Sequence, residues 1–194
     1  MILKEIYQKH LSQLKHLDVP HKKLVICFSG IPSSGKTTLA RKIEKRYRGV
    51  KITNDEVRKI IREVMEKRKI KRNEERNQKN LHDYLAYFLR SYDEKNKLII
   101  LDSGIDRIWK EEKKWFEEFG YSFFIIRMDI SLKEIHRRLQ EREMKMPERN
   151  FERLEQWKKE YAKAKREIKA DFIVKDDLPE EVQKIFEKLD EMIR

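Results

Sequence analysis

Cysteine is nearly absent from this sequence, which contains a single one, Cys27, among 194 residues. One thiol excludes a disulfide framework and a thiolate metal site, and the five histidines show no spacing typical of metal ligands. No apolar run approaches the roughly 18 residues that a membrane-spanning helix requires. The first residues mix charge among apolar side chains, unlike a signal peptide. We therefore expect a cytoplasmic globular protein with no membrane partner.

Glycine and proline are also scarce, with 5 and 4 residues, whereas Lys plus Arg number 47 and Asp plus Glu 35. Abundant Lys and Glu with little Gly and Pro is a thermophile-like composition. The net charge of +12 is not explained by thermostability, and it favours a polyanionic partner such as RNA or DNA. The stretch from Arg62 to Lys79 is the most basic. It is either a solvated helix with internal ion pairs or a surface that contacts a phosphate backbone.

Apolar segments of strand length alternate with segments of helical spacing. The predicted strands are residues 24–28, 50–53, 98–102, 122–128 and 172–174. Helical spacing is found in residues 3–17, 36–47, 56–92, 107–119 and 132–142, in a segment after Pro147 that includes Phe151, and from Pro179 onward. Nearly all-apolar strands that alternate with helices indicate a parallel sheet covered on both faces. The sequence predicts one α/β domain, residues 23–194, after an N-terminal helical extension, residues 1–22.

The segment that follows the first predicted strand, GIPSSGKT, matches the pattern G-x-x-x-x-G-K-[ST]. Its glycines allow the backbone to curl so that N–H groups point toward a phosphate, at the positive end of the next helix. The pattern predicts ATP binding by Gly30, Ile31, Pro32, Ser33, Ser34, Gly35, Lys36, Thr37 and Thr38.

Three side chains carry the chemistry predicted for this loop. Lys36 would reach the β- and γ-phosphates, and the Thr37 hydroxyl would ligate Mg²⁺. Asp102 ends the third predicted strand, where a carboxylate can also hold Mg²⁺. The alternative for Asp102 is an ordinary polar residue at the end of a buried strand.

The phosphate loop, together with Thr53-Asn54-Asp55-Glu56-Val57-Arg58, resembles the polynucleotide kinase and zeta-toxin-like branch of the P-loop kinases, an AAA-type ATP-binding group. The resemblance covers most of residues 23–192. It implies a P-loop NTPase three-layer sandwich whose five-stranded parallel sheet has the strand order 2-3-1-4-5. It also implies an ATP- and Mg²⁺-dependent kinase that phosphorylates a hydroxyl group.

The same resemblance implies that Asp55 is the general base and that Arg58 binds the substrate. Residues three apart share one helix face and can address one acceptor. The alternative is a capping box, in which Thr53 caps the helix, Glu56 reaches back, and Asp55 merely favours the helix N-terminus.

Arginines of a lid after the fourth strand are also implied by the resemblance. Arg138 and Arg142 match an R-x-x-x-R pattern within a lid of about residues 136–150, where they would stabilise the transferring phosphoryl group. Arg137 is the nearest competitor, and a solvated charge run is the alternative. Relatives often carry a small residue and an Asn or Thr after the third-strand Asp. This chain departs from that pattern, because residues 102–107 read DSGIDR. Within this segment, Arg107 is predicted to contact the acceptor.

Charge and resemblance together favour a nucleic-acid 5′-hydroxyl as the acceptor. One alternative is a small-molecule or nucleotide-sugar kinase of the same branch. Another is an ATP-dependent nucleic-acid-binding switch with slow hydrolysis. The sequence leaves the oligomeric state open.

Overall fold

The computed structural model describes residues 2–15, 21–70, 74–92, 98–107, 109–143, 153–175 and 179–193, except the side chains of 74–80, 82, 142, 143 and 179. The helices are α1 Ile2–Leu11, α2 Lys36–Tyr47, α3 Asn54–Lys67, α4 Glu74–Tyr92, α5 Trp109–Glu118, α6 Leu132–Glu143, α7 Leu154–Glu167 and α8 Pro179–Ile193. The strands are β1 Leu24–Ser29, β2 Val50–Ile52, β3 Leu98–Gly104, β4 Ser122–Met128 and β5 Phe172–Val174.

The five strands form one parallel sheet in the order β2-β3-β1-β4-β5. Every residue of β1 is buried, because helices cover both faces of the sheet. Val25 and Cys27 contribute to the core under α1, α3, α4, α5 and α7. Leu24, Ile26 and Phe28 contribute to the core under α2 and α8. The predicted three-layer α/β fold and strand order are confirmed. Among the described residues, no helix has both the length and the apolar character needed to cross a membrane.

The N-terminal helix α1 packs against α3 and α4. Glu5 binds Arg68 at 2.7 Å and Lys9 binds Glu63 at 2.6 Å, so α1 and α3 run in opposite directions. The predicted helix over residues 3–17 is therefore shorter, since α1 ends at Leu11, and residues 16–20 lie outside the described chain.

The prediction of one continuous helix over residues 56–92 is wrong. Helix α3 ends at Lys67, and Lys69 has a φ of +56°. The Ile70 N–H donates to the Met65 carbonyl at 3.0 Å, which closes a Schellman-type helix end. Glycine usually occupies the left-handed position of this motif, and Lys69 gives no such signal in the sequence.

A smaller apolar cluster joins α6 and α7 to the loop that follows β1. Ile31 of that loop, which is 6% exposed, packs with Ile135, Leu139 and Leu154. Because these side chains are closely packed, a movement of α6 or α7 would displace the loop as well. Residues 144–152, which include most of the second half of the predicted lid and Phe151, lie outside the described chain.

Candidate functional site

The phosphate loop begins where β1 ends and requires glycine at its entrance. Gly30 has a φ of +146°, a value that L side chains rarely adopt. A Cβ at this position would lie 2.9 Å from the Met128 carbonyl oxygen of β4. Gly35, with a φ of +102°, ends the loop and precedes α2. Two glycines thus give the segment its curl, with Ser34 buried between them.

Lys36 is the first residue of α2, and its ammonium group lies inside the curve of the loop. Its Nζ donates to the carbonyl oxygens of Gly30 at 2.6 Å and Ile31 at 2.9 Å. A cation and the N-terminus of a twelve-residue helix thus meet at one place, which suits a bound phosphate group. Thr38, also predicted to bind nucleotide, is exposed on the first turn of the helix.

Thr37, the second residue of α2, contacts Asp102 of β3. The Thr37 hydroxyl donates to Asp102 Oδ1 at 3.0 Å. Burial raises the pKa of Asp102, and the hydrogen bond from Thr37 opposes that effect. In the described part of the chain, Asp102 Oδ2 is buried with no hydrogen-bond partner. A hydroxyl beside a carboxylate with an unpartnered oxygen fits Mg²⁺, which prefers oxygen ligands.

A break in strand pairing positions the segment after β3. Cys27 pairs with Leu101, but Phe28 pairs with Gly104, so Asp102 and Ser103 bulge from the ladder. The next residues return to the loop. Asp106 accepts hydrogen bonds from the Ser29 hydroxyl at 2.6 Å and the Gly30 N–H at 3.0 Å. Sequence reasoning missed Asp106, and the only signal was the departure from the family pattern in this segment.

The acceptor-side residues lie at the start of α3, directly after β2. The Asp55 side chain is 89% exposed, and Arg58 Nη1 lies 3.4 Å from its Oδ1. Thr53 occupies the N-cap position but makes no capping hydrogen bond through its side chain, so the alternative of a capping box is wrong. Thr53 Oγ1 and Asn54 Oδ1 are buried without partners among the described residues. The start of α3 therefore presents polar groups that its own helix does not satisfy.

The two neighbouring arginines of α6 share one partner, Glu134, and differ in their other contacts. Arg138 is 21% exposed; its Nε donates to Glu134 at 2.8 Å, and its Nη1 donates to the Ser33 carbonyl of the phosphate loop at 3.4 Å. Arg137 is 56% exposed and pairs with Glu134 and Glu141. Hydrogen bonds from Arg137 and then Arg138 lower the pKa of Glu134 to about 2.

Two further candidate arginines are not brought to the loop by any described contact. Arg142 belongs to α6, but its side chain lies outside the described residues. Arg107 donates to Glu160 of α7 at 2.5 Å, and its contact with an acceptor stays a prediction.

The basic stretch that begins at Arg62 is partly neutralised where its side chains are described. Lys67 and Arg68 lie 3.7 and 2.7 Å from carboxylate oxygens of Glu5 in α1. Residues 71–73 and the side chains of residues 74–79 lie outside the described chain. The described part of this stretch is therefore typical of a solvated helix with ion pairs.

Several solved structures share this fold. An APS kinase from Mycobacterium tuberculosis, in complex with AMPPNP and APS, has a TM-score of 0.56 and 16% identity over 88% of this chain and 99% of its own. A shikimate kinase from Aquifex aeolicus has a TM-score of 0.52 and 19% identity over 86% and 96%. A gluconokinase from Sinorhizobium meliloti has a TM-score of 0.57 and 12% identity over 91% and 95%.

These identities are low, so the likeness concerns the fold, and it confirms the resemblance to P-loop kinases at that level. No curated protein sequence matches the chain. The family model described as an AAA domain matches residues 25–165, which include the phosphate loop, Asp102 and the start of α3. The chain therefore belongs to the AAA_33 family of AAA domains.

Proposed function

We propose that this chain is an ATP-dependent kinase that transfers the γ-phosphoryl group to a hydroxyl of a small molecule. The observation that carries the proposal is the Thr37–Asp102 hydrogen bond of 3.0 Å directly behind a phosphate loop that encloses the Lys36 ammonium. This arrangement combines phosphate binding with a carboxylate and a hydroxyl fit for a divalent cation.

Each group has a separate task in this reaction. The loop N–H groups and Lys36 hold the phosphates, and Arg138 adds positive charge where charge develops on the γ-phosphoryl group. Mg²⁺, when bound by Thr37 and Asp102, supplies neutralisation of phosphate charge. The acceptor oxygen attacks the γ-phosphorus, the bond to the β–γ bridging oxygen breaks, and ADP leaves. Asp55 accepts the hydroxyl proton, and Arg58 binds the acceptor.

Two observations support a small acceptor over a polynucleotide. Three of the structural neighbours are named as an APS kinase, a shikimate kinase and a gluconokinase, names that point to small acceptors. Two basic side chains near the end of α3, Lys67 and Arg68, share one acidic partner, Glu5. Glu5 therefore offsets part of the positive charge that these two side chains would offer to a phosphate backbone.

A nucleic-acid 5′-hydroxyl remains the second candidate, and the net charge of +12 is the observation that favours it. An ATP-dependent nucleic-acid-binding switch would draw on the same charge. These candidates differ from the proposal in where the phosphate goes: to a polynucleotide end in one case and to water in the other.

The test is ADP release from MgATP with separate acceptors: sugar acids, nucleosides, nucleotide sulfates, 5′-hydroxyl RNA and DNA, and tRNA. We expect one small molecule to stimulate release. Lys36→Ala should abolish release by removing a phosphate contact. Asp55→Asn should abolish the stimulation and leave ATP affinity unchanged. Stimulation by polynucleotides alone, or acceptor-independent release that Asp55→Asn retains, would contradict the proposal.

A further inference from the structure

We infer that Asp106 is a positioning residue that sets the entrance of the phosphate loop for nucleotide binding. The inference rests on the proposed function, since it concerns how the same loop receives the phosphates of ATP. The family pattern that identified the loop does not include this residue, and Asp106 lies 76 positions from Gly30 along the chain.

The two oxygens of Asp106 hold two consecutive residues of the loop entrance. Oδ1 accepts from the buried Ser29 hydroxyl at 2.6 Å, and Oδ2 accepts from the Gly30 N–H at 3.0 Å. Hydrogen bonds to an ionised acceptor are about twice as strong as those between neutral groups. Because the donors belong to adjacent residues, one carboxylate fixes the direction in which the chain leaves β1 and enters its curl.

Asp106 is itself held on both sides. Ile105 is fully buried, and its N–H donates to the Phe28 carbonyl at 3.0 Å. Arg107 donates to Glu160 of α7 at 2.5 Å. The segment after β3 is thus held against β1 directly before Asp106, and a half-exposed ion pair links it to α7 directly after, so the Asp106 carboxylate can anchor the loop entrance.

The anchor lies close to the group that binds phosphate. A Cβ at Gly104 would be 3.5 Å from Asp106 Oδ2, 3.7 Å from Lys36 Cε and 3.9 Å from the Gly30 carbonyl oxygen. These three groups therefore surround one glycine. A loop whose entrance is already ordered loses less conformational entropy when phosphate binds. This preorganisation makes binding tighter.

The experiment compares Asp106→Ala with Asp106→Asn by direct measurement of the Kd for MgATP, which requires no acceptor. An Asn side chain can accept from the Gly30 N–H and donate to the Ser29 hydroxyl, so it can keep both contacts without the charge. We expect Asp106→Ala to weaken ATP binding about tenfold, and Asp106→Asn to stay within about threefold of the wild type.

The matched control is Asp190→Ala, because Asp190 also accepts two side-chain hydrogen bonds, from Arg46 and Tyr47. These partners lie at the far end of α2, about 15 Å along the helix from Lys36. We expect this variant to bind ATP like the wild type. A loss as large as that of Asp106→Ala would overturn the inference, because it would reflect stability alone.

The remaining outcomes separate this inference from the proposed function. Wild-type affinity in Asp106→Ala, or an equal loss in Asp106→Asn and Asp106→Ala, would overturn the positioning role and leave the proposed function standing. Absence of ATP binding by the wild type would overturn the proposed function itself. If Asp106→Ala does not fold, Ser29→Ala removes one donor with little change in shape. Weaker ATP binding by that variant supports the inference, and unchanged binding overturns it.

Discussion

Gly30 illustrates, at the scale of single residues, how backbone geometry determines phosphate binding. Gly30→Ala would impose strain at a φ of +146° and a contact of 2.9 Å with Met128. We expect a loss of roughly 1–3 kcal/mol in stability and at least about tenfold weaker ATP binding, because the loop must shift. The measurements are urea unfolding and the Kd for MgATP.

Gly120 provides the matched control for that substitution. Its φ is +72°, but a Cβ there would meet nothing within 4 Å. Gly120→Ala should therefore cost about 1 kcal/mol of stability from the backbone alone and leave ATP affinity unchanged. Equal losses of ATP affinity in both variants would contradict a specific role of the loop entrance.

Glu112 of α5 is a buried acid with no described function. It is 1% exposed, and both carboxylate oxygens lack hydrogen-bond partners among the described residues. Burial, followed by the charge of Glu111, raises the pKa of Glu112 to about 8. In the unfolded chain the group ionises near pH 4.5. Its contribution to stability is therefore present below that pH and is lost as the pH rises to about 8.

We expect Glu112→Met to remove this pH dependence. The wild type should lose up to about 1.4 kcal/mol per pH unit from this group between pH 4.5 and 8, so the variant should be the more stable at pH 8. Urea unfolding at pH 5, 6.5 and 8 measures this, with Glu118→Met as the exposed control on the same helix. Parallel stability curves for wild type and Glu112→Met would rule out a buried ionisation.

Some residues of the site could be predicted from the sequence and others could not. Lys36 and Thr37 are marked by a motif, and Asp102 follows from the rule that parallel strands end at one edge of a sheet. Asp106 approaches Gly30 only because the ladder between β1 and β3 breaks after Leu101. No pattern of residue types in the sequence predicts that break, so the contact between Asp106 and Gly30 could be found only in the structure.

At the scale of elements, α6 carries two neighbouring arginines, Arg137 and Arg138, with different contacts. Both arginines pair with Glu134, but Arg138 also reaches the Ser33 carbonyl of the phosphate loop, whereas Arg137 pairs with Glu141 on the exposed face. We propose that α6 begins a lid over the phosphates. Arg138→Ala should then lower kcat about 10- to 100-fold, the range for loss of one transition-state contact. Arg137→Ala should stay within about threefold. The measurement is kcat with the acceptor that the ADP-release assay identifies. Equal effects of the two substitutions on kcat would refute the assignment of Arg138.

The elements themselves were largely predictable. Five apolar strands separated by helices specify a parallel sheet, because such strands must be covered on both faces. The boundary between α3 and α4 was not predictable, since Lys69 takes the left-handed conformation that sequence patterns reserve for glycine. The packing of α1 on α3 was not predictable either, because it brings together residues such as Glu5 and Arg68 that lie 63 positions apart.

The molecule as a whole carries a net charge of +12, and its distribution matters more than its size. Several described cations are paired within the chain, including Lys9 with Glu63 and Lys165 with Asp129. Pairs on the surface contribute little to stability, and they place part of the positive charge directly beside negative charge. The value of +12 already subtracts the 35 acidic residues from the 47 basic ones, so composition gives the size of the positive excess but not its placement, on which nucleic-acid binding depends.

The central claim is that the γ-phosphoryl group of ATP is transferred to a small-molecule hydroxyl. The most direct test supplies γ-labelled MgATP, a metabolite mixture and 5′-hydroxyl polynucleotides in one reaction, and then separates the low-mass products from the polymers. We expect label on a low-mass product other than inorganic phosphate, and we expect Lys36→Ala to abolish it. Label on polynucleotides alone, or only as inorganic phosphate, would contradict it.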